Sequence, residues 1–398
     1  MSADPQHPAW ARLTAMRARL VDWLSASAFP LWARIGIDRV HGGFVECVEQ
    51  DGTVADVARR ARVPARQIVA FAEARRFGGR IDAERIVARG LKDFVRRYRR
   101  ADGLFRTLVA ADGRILCEDA LLYDQAFALL ALAAAAACGS PGADEEAALA
   151  LRERIDARYR TADGGFRSRD RAGDERETNP HMHLLEACQA WKRIGADPGW
   201  STWCQDLSRL ALRRFVHAGS GAIGEVFTPD WRPAPGPAGD RVEPGHQFEW
   251  AWLLLREGSE DGTARAAARR LYELAAHHGV LAGVAVDACD AELAITQPGA
   301  RFWPQTERLK AALRLAVLTD DERIWSAAAQ AAESFLPYLA TPIEGLWFDY
   351  RTPAGAYPST AAPASTLYHL VGAIGELDAV VGAPGAGEAP AASAVSRG

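Results

Sequence analysis

The sequence predicts an all-α chain of six helical hairpins, and two observations carry that expectation. Short glycine-aromatic turns recur at a spacing of roughly 60 residues, longer than the common solenoid periods. Between the turns, apolar residues fall three and four positions apart, as on the buried face of a helix. The turns are Gly42-Gly43-Phe44, Asp102-Gly103-Leu104-Phe105, Asp163-Gly164-Gly165-Phe166, Gly224-Glu225-Val226-Phe227 and Gly345-Leu346-Trp347-Phe348, with a weaker match from Gly279 to Gly283. Ile68, Phe71 and Ala72 show the helical spacing, as do Ala126, Leu129, Leu130 and Leu132, and each interval has room for two helices.

Strand-like alternation is confined to patches beside the turns, such as Phe44-Val45-Glu46-Cys47-Val48 ahead of the hairpin-turn pair Asp51-Gly52. Six hairpins can stack as an open solenoid or close into a ring of inner and outer helices, and periodicity does not separate these. The apolar character of both helices in most units favours closure, giving an (α/α)6 barrel with short β-hairpin excursions. One catalytic domain is expected over 1–381. The tail 382–398, rich in Ala, Gly, Pro and Ser, is expected to be disordered. Pro229 to Pro244 reads as a long loop near the barrel mouth.

The 398 residues are 49% hydrophobic, ample for a large core. Lys+Arg (47) nearly balances Asp+Glu (51) for a net charge of -4, so no broad cationic surface and no nucleic-acid partner are expected. The most apolar run, Ala126 to Cys138, is too short and alanine-rich to cross a bilayer. Residues 1–30 read as an amphipathic helix rather than a signal peptide. A cytoplasmic monomer or homodimer without membrane contact is therefore expected. The six cysteines lie far apart with no CxxC pair, so buried thiols are expected rather than a zinc knuckle or disulfides.

Polar residues interrupt the apolar pattern at one phase of each repeat. The segments are Arg62-Val63-Pro64-Ala65-Arg66-Gln67, Tyr123-Asp124-Gln125, Asn179-Pro180-His181-Met182-His183, Gly245-His246-Gln247-Phe248-Glu249, Trp303-Pro304-Gln305-Thr306-Glu307 and Ser365-Thr366-Leu367-Tyr368-His369. If the units form a ring, these residues converge on one end of it. Three histidines, His183, His246 and His369, then share a pocket with Glu249, Glu307, Asp124, Arg66, Tyr123 and Trp303. That composition suits a polyhydroxylated ligand, whose hydroxyls meet the polar groups and whose C–H faces lie on aromatic rings.

Histidine exchanges protons near neutral pH, so two imidazoles on opposite sides of a sugar can remove and return a proton beside its carbonyl. Glu249 follows His246 by three residues and is expected to hold one of its ring nitrogens. Arg66 is expected to stabilise the enediolate oxygen. His181 neighbours His183 but faces another direction on a helix. A metal site competes on the H-x-x-E spacing of His246 and Glu249, yet H-E-x-x-H is absent. Paired carboxylates for glycoside hydrolysis, Asp124 with Glu249 or Glu307, would leave the histidines unexplained. With no phosphate-binding glycine loop and no dense arginines near the pocket, a free sugar is expected over a sugar phosphate.

With these residues in place, the chain resembles the N-acylglucosamine 2-epimerase superfamily, which includes mannose isomerases and cellobiose 2-epimerases. The resemblance rests on Gly42-Gly43-Phe44, Ala65-Arg66-Gln67, Tyr123-Asp124-Gln125-Ala126-Phe127, Met182-His183-Leu184-Leu185-Glu186-Ala187, Gly245-His246-Gln247-Phe248-Glu249-Trp250, Trp303-Pro304-Gln305-Thr306-Glu307 and Tyr368-His369. It implies a six-hairpin α/α barrel without cofactor. It further implies that His246 and His369 form the acid/base pair, that His183 and Arg66 bind substrate, and that Glu249 and Glu307 assist. The Trp-Pro-Gln-Thr-Glu run looks most like the mannose isomerases, so conversion of free mannose to fructose is the expectation, with 2-epimerisation the alternative.

Overall fold

The computed structural model describes residues 8–78, 81–171, 175–257 and 262–382. Its wall is made of α1 (Pro8–Asp22), α2 (Arg62–Glu73), α3 (Ala83–Tyr98), α4 (Leu122–Ala137), α5 (Glu145–Tyr159), α6 (Thr178–Ile194), α7 (Gly199–Leu210), α8 (Pro244–Glu257), α9 (Gly262–His278), α10 (Trp303–Thr319), α11 (Glu322–Glu333) and α12 (Thr366–Val381). The even-numbered helices form the inner ring. Each packs on the next, and α12 packs back on α2. The odd-numbered helices lie outside, each against an inner helix, with α1 resting on α11 and α12.

Composition explains the division. Inner helices are covered on both sides, so α4 is apolar nearly all round, and its alanine run allows close approach of its neighbours. Outer helices such as α3 are strongly amphipathic, burying Val87, Leu91 and Phe94 while exposing Arg85, Arg89 and Lys92. Asp82 and Asp144 cap α3 and α5 by accepting the N–H of Arg85 and Ala147.

Short antiparallel contacts tie each unit to its neighbour and decide between solenoid and ring. Arg59–Arg60 pairs with Leu108–Val109, Leu121 with Arg169, and Arg176–Glu177 with Val226–Phe227. Val242 pairs with Cys289 and Ala300–Arg301 with Tyr350–Arg351. The last of the series, Ala362–Pro363 with Cys47–Val48, joins the sixth unit to the first. The ring is closed, as expected. The strand Cys47–Val48, read as half of a local hairpin, finds its main partner at the far end of the chain, with only Val48 bridging Val54 locally.

The repeated turns need glycine where the chain reverses. Gly345 has φ +96°, and a Cβ there would stand 2.8 Å from the carbonyl oxygen of Ser27. A second repeated device fixes the inner helices to these turns. Gln125 Oε1 accepts from Phe105 N and Gln125 Nε2 donates to Phe105 O, both at 2.8 Å. Gln247 brackets Ile223 and Gln305 brackets Ala285 in the same way. In the third unit His181 takes the glutamine's place, its Nε2 accepting from Phe166 N at 3.1 Å. His181 is therefore a backbone anchor facing away from the barrel mouth, and burial holds it neutral with its pKa lowered to about 4.

The segment Pro229 to Pro244, expected as a long loop, carries some regular structure of its own. It contains a bridge from Phe227 to Pro233 and a short helix, Pro237–Asp240, and Trp231 packs on Phe215 and Phe227. Burying that indole folds the segment down. Cys188, Cys204 and Cys289 are buried free thiols; Cys47, Cys117 and Cys138 are half-buried. No helix among the described residues is long and apolar enough to cross a membrane. Of the expected disordered tail, 383–398 lie outside the described residues.

Candidate active site

The inner helices all begin at the end of the ring that carries the inter-unit strands, and their first turns surround a cavity of about 450 Å³. Arg66, Tyr123, His183, His246, Glu249, Trp303 and His369 all line it, each from a different inner helix except the pair on α8. The convergence expected of the repeat is what closure produces. Asp124 and Glu307 were expected there too, but both are fully buried below the lining. Asp124 lies under Arg62, with Nη1 to Oδ1 at 3.8 Å, and burial raises its carboxyl to about 6 despite that arginine.

Each histidine has a carboxylate behind it. His246 Nδ1 meets Glu225 Oε2 at 2.8 Å, His369 Nδ1 meets Glu307 Oε1 at 2.8 Å, and His183 Nδ1 meets Glu186 Oε2 at 3.1 Å. Such a carboxylate selects the Nδ1–H form and leaves Nε2 as the nitrogen for a ligand. The partner of His246 is thus Glu225 and not Glu249. A first-turn side chain on α8 reaches back to the turn strand of its own unit, and the i,i+3 neighbour does not intervene. Glu225 stood in the Gly224-Glu225-Val226-Phe227 run, which was read only as a repeat marker.

Glu249 has another use. Its Oε1 lies 3.9 Å from His183 Nδ1 and has no hydrogen-bond partner although buried. Burial, with Glu307 and Glu186 nearby, raises its pKa well above the usual carboxylate range. A neutral carboxyl on the wall of a cavity is a donor awaiting a ligand oxygen.

The two principal imidazoles differ in charge. Burial alone would lower His246, but Glu225 and Glu243 outweigh it and raise the group to about 9. His369 is held well below the usual histidine value by burial, Arg66 and Lys310. Lys310 Nζ sits 2.5 Å from Glu307 Oε2, so the carboxylate behind His369 is already neutralised. His183, buried between Tyr123 and Phe127, is neutral, with a pKa lowered to about 4 against the pull of Glu186. Trp303 neighbours both His246 and His369, its ring centroid 5.1 Å from the first and 5.6 Å from the second.

Arg66 projects from α2, the neighbour of α12, 4.3 Å above the Phe127 ring, with Nη2 donating to Tyr123 Oη at 2.7 Å. Tyr368 donates its hydroxyl hydrogen to Glu186 and so supports His183 from behind. Two groups, His183 with Glu186 and Glu249, and Glu249 with Glu307 and His369, have the composition and proximity of metal ligands. In the second, the Lys310 ammonium already supplies the positive charge that such carboxylates would otherwise draw from an ion.

Arginine is denser than expected. Arg60, Arg62, Arg66, Arg169 and Arg301 all line the cavity, three of them from the strands ahead of the helices, which helix-phase reasoning does not reach. Most are already engaged: Arg60 pairs with Glu46, and Arg301 with Glu243 and Asp287 at 2.9 Å each. Glu177 and Asp349 complete the polar lining, and burial raises both carboxyls.

A profile of the N-acylglucosamine 2-epimerase (GlcNAc 2-epimerase) family matches residues 42–373, a span that includes every histidine of the cavity. The chain belongs to that family. Within it, a mannose-6-phosphate isomerase of Rhizobium meliloti (strain 1021) is 40% identical over 370 residues, covering 90% of this chain and 96% of the relative. A D-mannose isomerase of Marinomonas mediterranea is 24% identical over 84% of this chain and 91% of its own. The fold is that of a solved D-mannose isomerase, with TM-score 0.83 at 22% identity over 91% of this chain and 97% of that one. It is equally that of the cellobiose 2-epimerase from Spirochaeta thermophila DSM 6192, with TM-score 0.82 at 22% identity over 93% and 97%. Isomerase is the enzyme class that the family and these relatives share.

Proposed function

We propose that this chain interconverts an aldose and a ketose hexose, D-mannose and D-fructose, through a cis-enediolate, with His369 as base and His246 as acid. One observation carries the reading: two imidazoles from distant parts of the chain line one cavity, both beside Trp303, and their surroundings push the pKa of His246 up and that of His369 down. His369 Nε2 takes the C2 proton of the open-chain aldose, and its electron pair becomes the C1=C2 bond. Charge grows on O1, where the His246 imidazolium delivers a proton and Arg66 offsets what remains. His369 then returns its proton to C1 while the O2 hydroxyl gives its own to His246 and becomes the ketone. Both imidazoles end as they began, so no cofactor is needed.

Delivery of a proton to the opposite face of C2 instead of to C1 gives the epimer. The same two-sided arrangement supports that alternative, and about 1.4 kcal/mol in the competing barriers changes the product ratio tenfold. A phosphorylated mannose is a second reading, favoured by the arginine-lined mouth and by the name of the Rhizobium meliloti relative. Arg169, exposed on the lining and without an ion pair among the described residues, is the residue to meet a phosphate.

The purified protein incubated with D-mannose in deuterated water should yield fructose with deuterium exchange, followed by NMR. Absence of both product and exchange, with mannose and with mannose 6-phosphate, would sink the proposal. Glucose as the main product would select the epimerase, and a kcat/KM for the phosphorylated sugar that falls on Arg169→Ala would select the second reading.

A further inference from the structure

A net charge near zero led to the expectation of no broad cationic surface, and the outer wall carries instead one local cationic groove. A groove of about 1100 Å³ runs between α3 and α5, where these two outer helices part and the buried Leu132 of inner helix α4 closes the bottom. Along its flank α3 presents Arg85, Arg89, Lys92 and Arg96, and just past its end Arg99. Offsets of 4, 3, 4 and 3 put the five on one helical face, a stripe of roughly 21 Å at 1.5 Å per residue. Arg154 of α5 and Arg39 stand across from it.

Little within the groove balances this charge. Asp93 is the one acid on its lining, and it is occupied by Arg96 at 3.1 Å and by the backbone N–H of Gly43 at 3.0 Å. Among the described residues the side chains of Arg39, Arg85, Arg89, Lys92 and Arg99 make no ion pair or hydrogen bond. The floor between the cations is aliphatic, with Ala88, Leu91, Val95 and Leu151, and Val40 at the edge is 85% exposed.

We propose that this groove is a docking site for an acidic amphipathic helix of a partner protein. The parting of two helices down to an apolar floor is the seat in which such a helix lies. The charged stripe repeats at helical spacing, so acidic residues at i, i+4, i+7 and i+11 of the guest face it in register. A bilayer surface is flat and cannot reach the floor. Single-stranded nucleic acid would need a series of exposed aromatic platforms, and the lining has only the buried Phe105 and the single imidazole of His41. The stripe is also far longer than one phosphate.

The probe is a fluorescein-labelled 18-residue helical peptide with leucines along one face and glutamates beside them, titrated by anisotropy against the full chain. Micromolar binding is expected, at least tenfold weaker for the Arg89→Glu/Lys92→Glu variant and weaker at high salt, with isomerisation unchanged because neither residue is near the cavity. A second peptide with lysine in place of glutamate should not bind. The proposal is overturned by no saturable binding of the acidic peptide, by equal binding to the variant, or by tighter binding of phosphatidylglycerol vesicles or an RNA oligomer. It is likewise overturned if sedimentation shows a dimer that the variant abolishes.

Discussion

His246 and His369 are set up alike and behave oppositely. Each projects from the first turns of an inner helix, each gives its Nδ1 to a buried glutamate at 2.8 Å, and each flanks Trp303. Yet the pKa of His246 is raised to about 9, whereas that of His369 is held well below the usual histidine value. The difference lies one residue further out. Glu225 acts together with Glu243, so its charge is available to His246, while the charge of Glu307 is spent on Lys310 at 2.5 Å, and Arg66 adds a second cation beside His369. A carboxylate behind an imidazole fixes its tautomer, but the net charge around the pair fixes its protonation.

Removing the neutral imidazole tests the contrast most severely. His369→Asn should lower turnover by about 10³-fold and abolish deuterium exchange at C2, as loss of a positioned general base does. Retention of C2 exchange in that variant would remove His369 from the role. A smaller effect is expected from altering the groups behind each ring, read in pH profiles of kcat/KM. Glu225→Gln lets His246 fall back toward its ordinary value, so the alkaline limb should move to lower pH. Lys310→Met removes one cation that holds His369 down, so the acid limb should move to higher pH. Both limbs standing still would show that the carboxylate–imidazole pairs only orient.

The least dramatic effect is on stability. A group raised from 6.5 to about 9 on folding adds stability that is fully present below 6.5 and lost as pH climbs through about 9. For His246 the contribution is on the order of 3 kcal/mol. The melting temperature of the parent should therefore decline between pH 6.5 and 9 more steeply than that of His246→Asn, measured by calorimetry. Parallel curves would mean that Glu225 and Glu243 do not act on His246 as described.

The sequence made the six hairpins and the shared phase of the histidines legible because both follow from local rules, a turn spacing and a helical phase, whereas closure rested on the apolar character of both helices in most units. What it hid are contacts between segments that no local rule connects. Glu225 stands among turn residues whose glycines announce a repeat, so its carboxylate passed for part of the turn. Asp124 and Glu307 share the phase of the lining residues but sit a layer deeper, since phase gives direction and not depth. The arginines Arg60, Arg169 and Arg301 come from strands too short to register as strands. Gln67, Gln125, Gln247 and Gln305 looked like site residues because they sit beside site residues; three of them bracket the backbone of the turns, and Gln67 donates to the carbonyl of Ala364.

The seam between Cys47–Val48 and Ala362–Pro363 has a consequence for biosynthesis. Arg66 belongs to the first inner helix and His369 to the last, so the proposed base and its flanking guanidinium meet only across that final join. A growing polypeptide still short of α12 has Glu307 and Lys310 facing a vacant wall. Under the proposed mechanism, turnover waits until the closing helix has left the ribosome and locked against the opening one.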